Sequence, residues 1–269
     1  MLNAPVHPQT LWLPPKSKLV VGSRNPDKLL EYGDLLGELN FEIMNLKQLE
    51  IILGLPDHTL GDVPEPGLTY EENARIKNLA IAEAIMKSSI PNKEEYVILT
   101  DDSGIEAGQA KWSRLSPDDL RKSDAELLLE RKSDRLHGLP YPGVDTAYVE
   151  KAAGPTENIH ACYQAAIEAN GGDRSMRAIT VIAAMTLSDE NVRYFRGEVR
   201  ERLAEQSRGT TGFGYDFCFE PNGSDKTYAE MSKAEKLRIS ERRLALTALI
   251  DSLRGSYGPP NRGAVPLVG

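Results

Sequence analysis

VVGSRNPDKLLEYGDLL, residues 20–36, is the stretch on which the fold turns. An apolar run that begins at Lys18 stops at a Gly-Ser-Arg-Asn-Pro turn and passes directly into a helical pattern. KLVVG reads as a short buried strand, and about residues 26–38 read as a helix with Leu29, Leu30, Leu35 and Leu36 on its apolar face. A strand that ends in a polar turn and enters a helix presents free backbone N–H groups and the positive end of the helix dipole. Ser23 and Asn25 add side-chain donors, and Lys28 adds an ammonium on the first turn. Such a constellation suits a phosphate. A capped helix with an exposed lysine fits the same residues, and the spacing of a Walker A loop is missing.

The remaining elements extend this start into an α/β chain. FEIMNL is a second candidate strand, and YVILT is a third that ends in DDSG. Between them GLTYEENARIKNLAIAEAIMKSS is the clearest helix, with Thr69 and Glu72 spaced as a capping box. Its apolar face is expected from Ile76, Leu79, Ala80, Ala84 and Ile85. Further on, ENIHACYQAAIEAN reads as a helix, RAITVIAAMTLS as a strand and NVRYFRGEVRERLAE as an antiparallel strand pair. SRGTTGFGYDFCFE is a Gly-rich loop leading to a strand, and MSKAEKLRISERRLALTALIDSLRG is a final helix. Helices and strands mixed in this irregular order imply a sheet that is not purely parallel. Residues 1–17 read as an extended Pro-rich arm, 18–254 as one domain and 255–269 as a flexible tail. Within the domain, residues 109–140 form a charged helical insertion, either a solvated surface helix or a mobile cap or partner-binding arm.

Composition narrows the function classes. A net charge of −8 lacks the broad positive field of a nucleic-acid binder, so no nucleic-acid partner is expected. Only Cys162 and Cys218 occur, without metal-knuckle spacing, and the four histidines are scattered. No apolar run is long enough to span a bilayer, and the N-terminus has no secretory pattern, so a soluble cytoplasmic protein without a membrane partner is expected.

Four further motifs carry candidate chemistry. In TDDSG, residues 100–104, two adjacent carboxylates follow an apolar strand. Hard oxygen ligands there suit Mg²⁺, and one of the acids could take a proton from water, although an Asp-rich turn closed by Gly104 has the same composition. Glu65 lies in the Pro-flanked turn DVPEPG, aimed at a metal or merely solvated. RGTTGFGYD, residues 208–216, lets the backbone approach a ligand while Phe213 stacks on a base; a hairpin with aromatic packing is the other reading. EKLRISERR supplies Lys236, Arg242 and Arg243, with Lys236 and Arg243 seven apart and so on one helical face.

The order of these motifs resembles the inosine triphosphate pyrophosphatase family, the noncanonical purine nucleoside triphosphate pyrophosphatases, from about Lys18 to Leu253. The sequence runs S-x-N-x-x-K, then E-x-G-x-T-Y-x-E-N-A, D-D-S-G, R-G-T-x-G-F-G-Y-D and E-K-x-x-I-S-x-R. The resemblance implies an elongated, two-lobed α/β fold whose mixed sheet is flanked by helices, usually as a homodimer. It implies Mg²⁺-dependent attack of water on the α-phosphorus of a purine nucleoside triphosphate such as ITP, dITP or XTP, releasing pyrophosphate. Ser23, Asn25 and Lys28 then match phosphate contacts, and Glu65 and Asp102 match metal-linked acids. Asp102 matches the general base, with Asp101 and Lys28 beside it in the catalytic set. Ser103 matches a substrate contact, Phe213, Gly214, Tyr215 and Asp216 match the segment that sandwiches the base, and Lys236 and Arg242 match base and phosphate contacts. Cationic donors at the last two positions would favour a 6-keto purine over adenine.

Three departures mark the chain as divergent. Glu241 stands where the family usually has His, beside the substrate. About thirty residues intervene between DDSG and PGVDTAY, and the family's Arg there is replaced at or near Ala147. The VPEPG turn is one residue shorter than common versions. These differences leave open a changed base preference, or a nucleotide-binding module with impaired chemistry.

Overall fold

The computed structural model describes residues 13, 16–37, 41–61, 63–111, 136–154, 156–188, 191–212 and 214–256. Most of the N-terminal arm, nearly all of the C-terminal tail, residues 112–135 of the insertion and Phe213 lie outside the described residues.

Strand β1 (Lys18–Val21) is the apolar run, and α1 (Pro26–Leu36) opens on a proline whose fixed φ suits the first helical position. Tyr32 and Leu36 are its buried anchors, whereas Leu30 is 48% exposed and leaves the expected apolar face. Strand β2 (Glu42–Asn45) gives way at once to α2 (Leu46–Leu53), a short helix that the apolar run concealed. Asn45 and Gln48 cap it reciprocally, and Gly54 ends it at φ 68°, a left-handed conformation suited to glycine.

Helix α3 (Tyr70–Lys87) begins at the expected box, with Glu72 N–H donating to Thr69 Oγ1 (3.1 Å) and Thr69 N–H to Glu72 Oε2 (3.2 Å). Its buried face is rotated from the expected one. Asn73, Ala74, Asn78, Ile81, Ala82 and Ile85 face the sheet, and Leu79 is 37% exposed. The cause is polar. Asn78 Nδ2 donates to the carbonyls of Ile98 (3.1 Å) and Ala183 (3.0 Å), so an amide occupies a site that periodicity assigns to an aliphatic side chain.

Strand β3 (Tyr96–Lys111) is the spine of the molecule. It does not end at Thr100, and DDSG is not a turn: the strand runs through the acidic segment for 16 residues. Strand β5 (Ser175–Thr186) pairs with it antiparallel from Val97↔Thr186 to Ala107↔Met176, which satisfies the backbone along the acidic stretch. The strand continues to Lys111, into the first residues of the expected insertion, and β4 (Pro140–Gly143) returns alongside β3. Helices α4 (Thr146–Ala153) and α5 (Thr156–Glu168) precede β5. Strand β6 (Val192–Leu203) is a single strand paired with β5, not the internal pair expected from its sequence, and β7 (Phe219–Pro221) closes the edge. The presumed last helix breaks at Ser240 into α6 (Lys233–Ile239) and α7 (Glu241–Ser256), so Lys236 and Arg243 share no helical face.

The sheet order is β2-β1-β3-β5-β6-β7, with β4 on the far half of β3. β1 runs parallel to β2 and β3, and the other pairs are antiparallel, giving the mixed sheet that the chain implied. On one face Leu19, Val21, Val97, Leu99 and Ile182 pack against Tyr32 and Leu36 of α1 and Ala245, Leu246 and Leu249 of α7. On the other, Val20, Tyr96, Ile98 and Met185 pack against Leu49 of α2 and Ile81 and Ile85 of α3. The far half has its own core, in which Ile105, Ala107 and Phe219 meet Ile159 and Tyr163 of α5.

Helix α7 reaches the sheet only because Gly197 of β6 has no side chain. A Cβ there would sit 1.8 Å from the Glu241 carbonyl oxygen and 2.6 Å from the Ala245 nitrogen. Gly197→Ala is expected to displace the start of α7 and to lower stability by about 1–3 kcal/mol, the range for an overpacked site. Gly33→Ala in α1, with nothing within 4 Å of the added carbon, should raise stability by about 0.5–1 kcal/mol. Urea denaturation of the two variants checks both signs.

Candidate active site

The site begins as a gap in the sheet. β1 accompanies β3 only to Val21↔Leu99, and β4 joins on the same side only from Ile105↔Gly143. Thr100 to Gly104 therefore have a strand partner on the β5 side alone, at Ala183 to Ile179. Gly22 ends β1 by donating its N–H to the Leu99 carbonyl (2.7 Å), and a Cβ on it would press Thr100 Cγ2 at 2.5 Å and Ile81 Cδ1 at 2.8 Å. At the far rim Thr146 Oγ1 accepts from Ile105 N–H (2.7 Å) and donates to the Gly143 carbonyl (2.7 Å). A cleft of about 480 Å³ opens over the unpaired segment, within the usual size of a small-molecule site.

Strand alternation sends the two aspartates to opposite faces of the sheet. Asp101 meets α1 and α7: its Oδ2 accepts from Lys28 Nζ at 2.7 Å and lies 3.7 Å from Arg242 Nε. Arg242 in turn pairs with Glu31 (3.1 Å) and reaches Ser103 Oγ (3.5 Å). Burial alone would raise the Asp101 carboxyl, but Lys28 and Arg242 hold it well below the usual range, so it is a fixed anion. Asp102 faces α3, where Asn73 Nδ2 donates to it at 3.0 Å. Burial, added to by the nearby Glu65 charge and opposed by Lys77, pushes its carboxyl up to about 6. One aspartate is thus locked in its charged form, and its neighbour is poised to exchange a proton near neutral pH.

Around this pair the expected phosphate residues line the cleft. Ser23, Asn25 and Lys28 are present, with Ser23 Oγ accepting from Asn25 N–H (3.2 Å) and Asn25 Oδ1 from Lys28 N–H (3.3 Å). The helix is therefore capped and its start also lines the cleft, with Lys28 paired to Asp101 rather than exposed. Arg24 also lines the cleft and anchors this turn, bonding Glu50 and, at 3.0 Å, Asp57. Glu65 and Ser103 line the same cleft. Glu65 Oε2 accepts from Lys77 Nζ at 2.7 Å.

The other end is formed by the later motifs. Tyr215 lines the cleft with its ring stacked on Phe219, centroids 5.4 Å apart. Asp216 binds Lys236 Nζ through both oxygens (2.7 and 2.6 Å). Gly214 stands at φ +55° against Glu150, where a Cβ would be 2.8 Å from Oε2. Glu241 accepts from Thr180 Oγ1 (3.3 Å), so it is held by the sheet at the cleft wall. Ala147 and Tyr148 line the wall beside it. Arg243 is not among the lining residues; its backbone N–H caps on Ser240 Oγ (3.1 Å).

Sequence reasoning missed Asn73 and Lys77, four apart on α3, and also Glu31, Glu150 and Tyr228, all of which contact or line the site. The signal for the first two was available: ENARIK places polar side chains on a helical face that the sheet covers.

The donor set fits Mg²⁺. Among the described residues no group of three His, Cys, Asp or Glu side chains gathers as a metal cage, yet Mg²⁺ takes only one or two carboxylates and completes its shell with phosphates and water. Glu65 and Asp102 are close enough for the charge of Glu65 to raise the Asp102 carboxyl, and both lie at the cleft, where one or two carboxylates suffice for such an ion.

The two aspartates should respond oppositely to amidation. Asp101 has a depressed folded value, so its contribution is present above the ordinary carboxyl value of 3.8 and lost as pH falls through the folded one. Removing its charge at pH 8 leaves Lys28 without its carboxylate partner and Arg242 with Glu31 alone, and Asp101→Asn is expected to cost about 3–5 kcal/mol. Asp102 has a raised folded value, so its ionisation penalises the metal-free fold above pH 6. Asp102→Asn should then stabilise that form at pH 8, by up to about 3 kcal/mol. Urea denaturation in chelator at pH 8 measures both; shifts of the same sign would refute the division.

Comparison with known proteins places the chain. The Ham1 family profile matches residues 19–109 and 133–252, on either side of the charged insertion. A dITP/XTP pyrophosphatase of Mesorhizobium japonicum is 34% identical over 81% of this chain and 81% of its own, and that of Rhizobium meliloti is 35% identical over 81% and 83%. Among solved structures, a Ham1 protein from Coxiella burnetii superposes with a TM-score of 0.62 at 27% identity, covering 89% of this chain and 99% of the other. The Staphylococcus aureus Ham1 protein gives 0.60 at 27% identity, covering 90% and 100%. With its fold, its cleft and the matched span in agreement, the chain belongs to the Ham1 family.

Proposed function

We propose that the protein is a nucleoside triphosphate pyrophosphatase that hydrolyses noncanonical purine nucleotides such as ITP, dITP and XTP to the monophosphate and pyrophosphate. The observation that carries this reading is the division of Asp101 and Asp102 across the sheet at the cleft, one fixed as an anion and one able to take a proton. The relatives named dITP/XTP pyrophosphatase support the substrate class.

The polyphosphate lies over the start of α1, met by backbone N–H groups, Ser23, Asn25 and the Lys28 ammonium. Asp101 holds Lys28 in place, which leaves the other ammonium hydrogens for phosphate oxygens. Asp102, oriented by Asn73, accepts the proton of the water that attacks the α-phosphorus. Glu65 and Asp102 would hold Mg²⁺, which when bound neutralises charge on the phosphates and on departing pyrophosphate. Arg242 and Ser103 bridge from the phosphate end to the base end, where Tyr215 flanks the base and Lys236 donates to its 6-keto oxygen. Homodimer formation belongs to this reading through the family resemblance, and a cytoplasmic setting through the sequence, which has neither a bilayer-length apolar run nor a secretory pattern. Glu241 at the cleft wall is the residue that would alter base preference.

Pyrophosphate release measured over ITP, XTP, dITP, GTP, ATP and dTTP with Mg²⁺ tests the assignment, with ITP or XTP expected to have the highest kcat/KM. Asp102→Asn should reduce kcat at least about 10²-fold, the low end for a lost proton acceptor, while the protein stays folded. Chelation of divalent ions should abolish turnover and Mg²⁺ restore it. Full activity of Asp102→Asn would remove the proposed base.

A further inference from the structure

Glu150 is a partly buried cleft acid that the proposed reaction leaves unused. It lines the base end of the cleft from α4, and its Oε1 is buried in the wall with no hydrogen-bond partner among the described residues. Its other oxygen lies against Gly214, where a Cβ would come within 2.8 Å. Asp216, the next acid along the same wall, raises the Glu150 carboxyl further above the level that burial sets. Asp216 also holds Lys236 through both of its oxygens. A buried acceptor that meets no donor in the free protein is costly, and a ligand that supplies the donor relieves the cost.

The neighbouring groups define that ligand. Lys236 is donor-only and takes an oxygen. Glu150 lines the same cleft and feels the charge of Asp216, the partner of Lys236, and an acceptor there takes an N–H. A purine that carries a 6-keto oxygen next to N1–H offers this pair in the matching order, whereas adenine offers a 6-amino donor next to an N1 acceptor. Against adenine, Lys236 would face the amino group donor to donor, and Glu150 could be satisfied only by turning a retained proton toward N1. Resting on the pyrophosphatase reading, we infer that Glu150 is a specificity-determining residue whose carboxyl oxygen accepts the N1–H of a 6-keto purine, next to the keto oxygen taken by Lys236.

The test compares kcat/KM for ITP and ATP in the wild type, Glu150→Ala and Glu150→Gln, together with calorimetric binding of IMP and AMP, which needs no turnover. Glu150→Ala should narrow both the ITP/ATP ratio and the IMP/AMP affinity ratio about tenfold. Glu150→Gln keeps an amide carbonyl as acceptor and should stay within about threefold of the wild type in both. Equal losses for the inosine and adenosine nucleotides, or unchanged ratios in Glu150→Ala, would overturn the assignment. A wild type that binds IMP over AMP, loses that preference in Glu150→Ala and yet releases no pyrophosphate would sink the pyrophosphatase reading while sustaining the role of Glu150.

Discussion

The functional architecture depends on a short length of β3 that has a neighbour on one side only. From Thr100 to Gly104 the strand is hydrogen-bonded to β5 and open where β1 has ended and β4 has not begun. An open strand segment inside a sheet would ordinarily be filled by side chains or by another strand. Here it carries two carboxylates, and the pleat assigns each to a different helix. That single geometric fact explains why adjacent aspartates have opposite electrostatic characters and why residues from α1, α3, α4 and α7 converge on five residues of one strand.

Convergence requires that the ends of the chain meet. Glu31 and Arg242, 211 positions apart, join α1 to α7 beside Asp101. The pairing is buried, so its parts are strongly interdependent: a buried charge is tolerable only while its partners remain. Close backbone contact at Gly197 brings the start of α7 to this point, and the Arg24 contacts with Glu50 and Asp57 fix the turn that faces it. Much of the site is therefore assembled before any ligand arrives, which lowers the ordering cost of binding.

Local signals in the chain were read accurately where local physics governs. The Thr69–Glu72 box, the strand-turn-helix at residues 18–36 and the placement of Lys28, Asp101, Asp102, Lys236 and Arg242 around one cleft all follow from motif and periodicity, with the family resemblance joining them. Readings failed where long-range pairing decides. DDSG has the composition of a turn and becomes strand because β5 satisfies its backbone from 80 positions away, at Val181 opposite Asp102 and Ile182 opposite Asp101. The α3 face was misjudged because two amides occupy it, Asn78 on the Ile98 and Ala183 carbonyls and Asn73 on the Asp102 carboxylate. Glu150 was invisible because its neighbours, Gly214 and Asp216, lie more than sixty positions away, and nothing in TAYVEKAA distinguishes it from a solvated acid.

The length of β3 and β5 has a mechanical consequence. Both strands pass from the near half of the sheet into the far half without interruption, and their ladder is continuous across the floor of the cleft. Among the described residues the two halves of the sheet share this ladder as a common floor. Any change in the width of the groove must be taken up as added twist or flexure of a hydrogen-bonded ribbon, a stiff mode of small amplitude. Entry and exit of a ligand then fall to the side chains and turns along the rim, while the spacing between the two ends of the groove stays nearly constant, as a fixed gauge for the length of the molecule it admits.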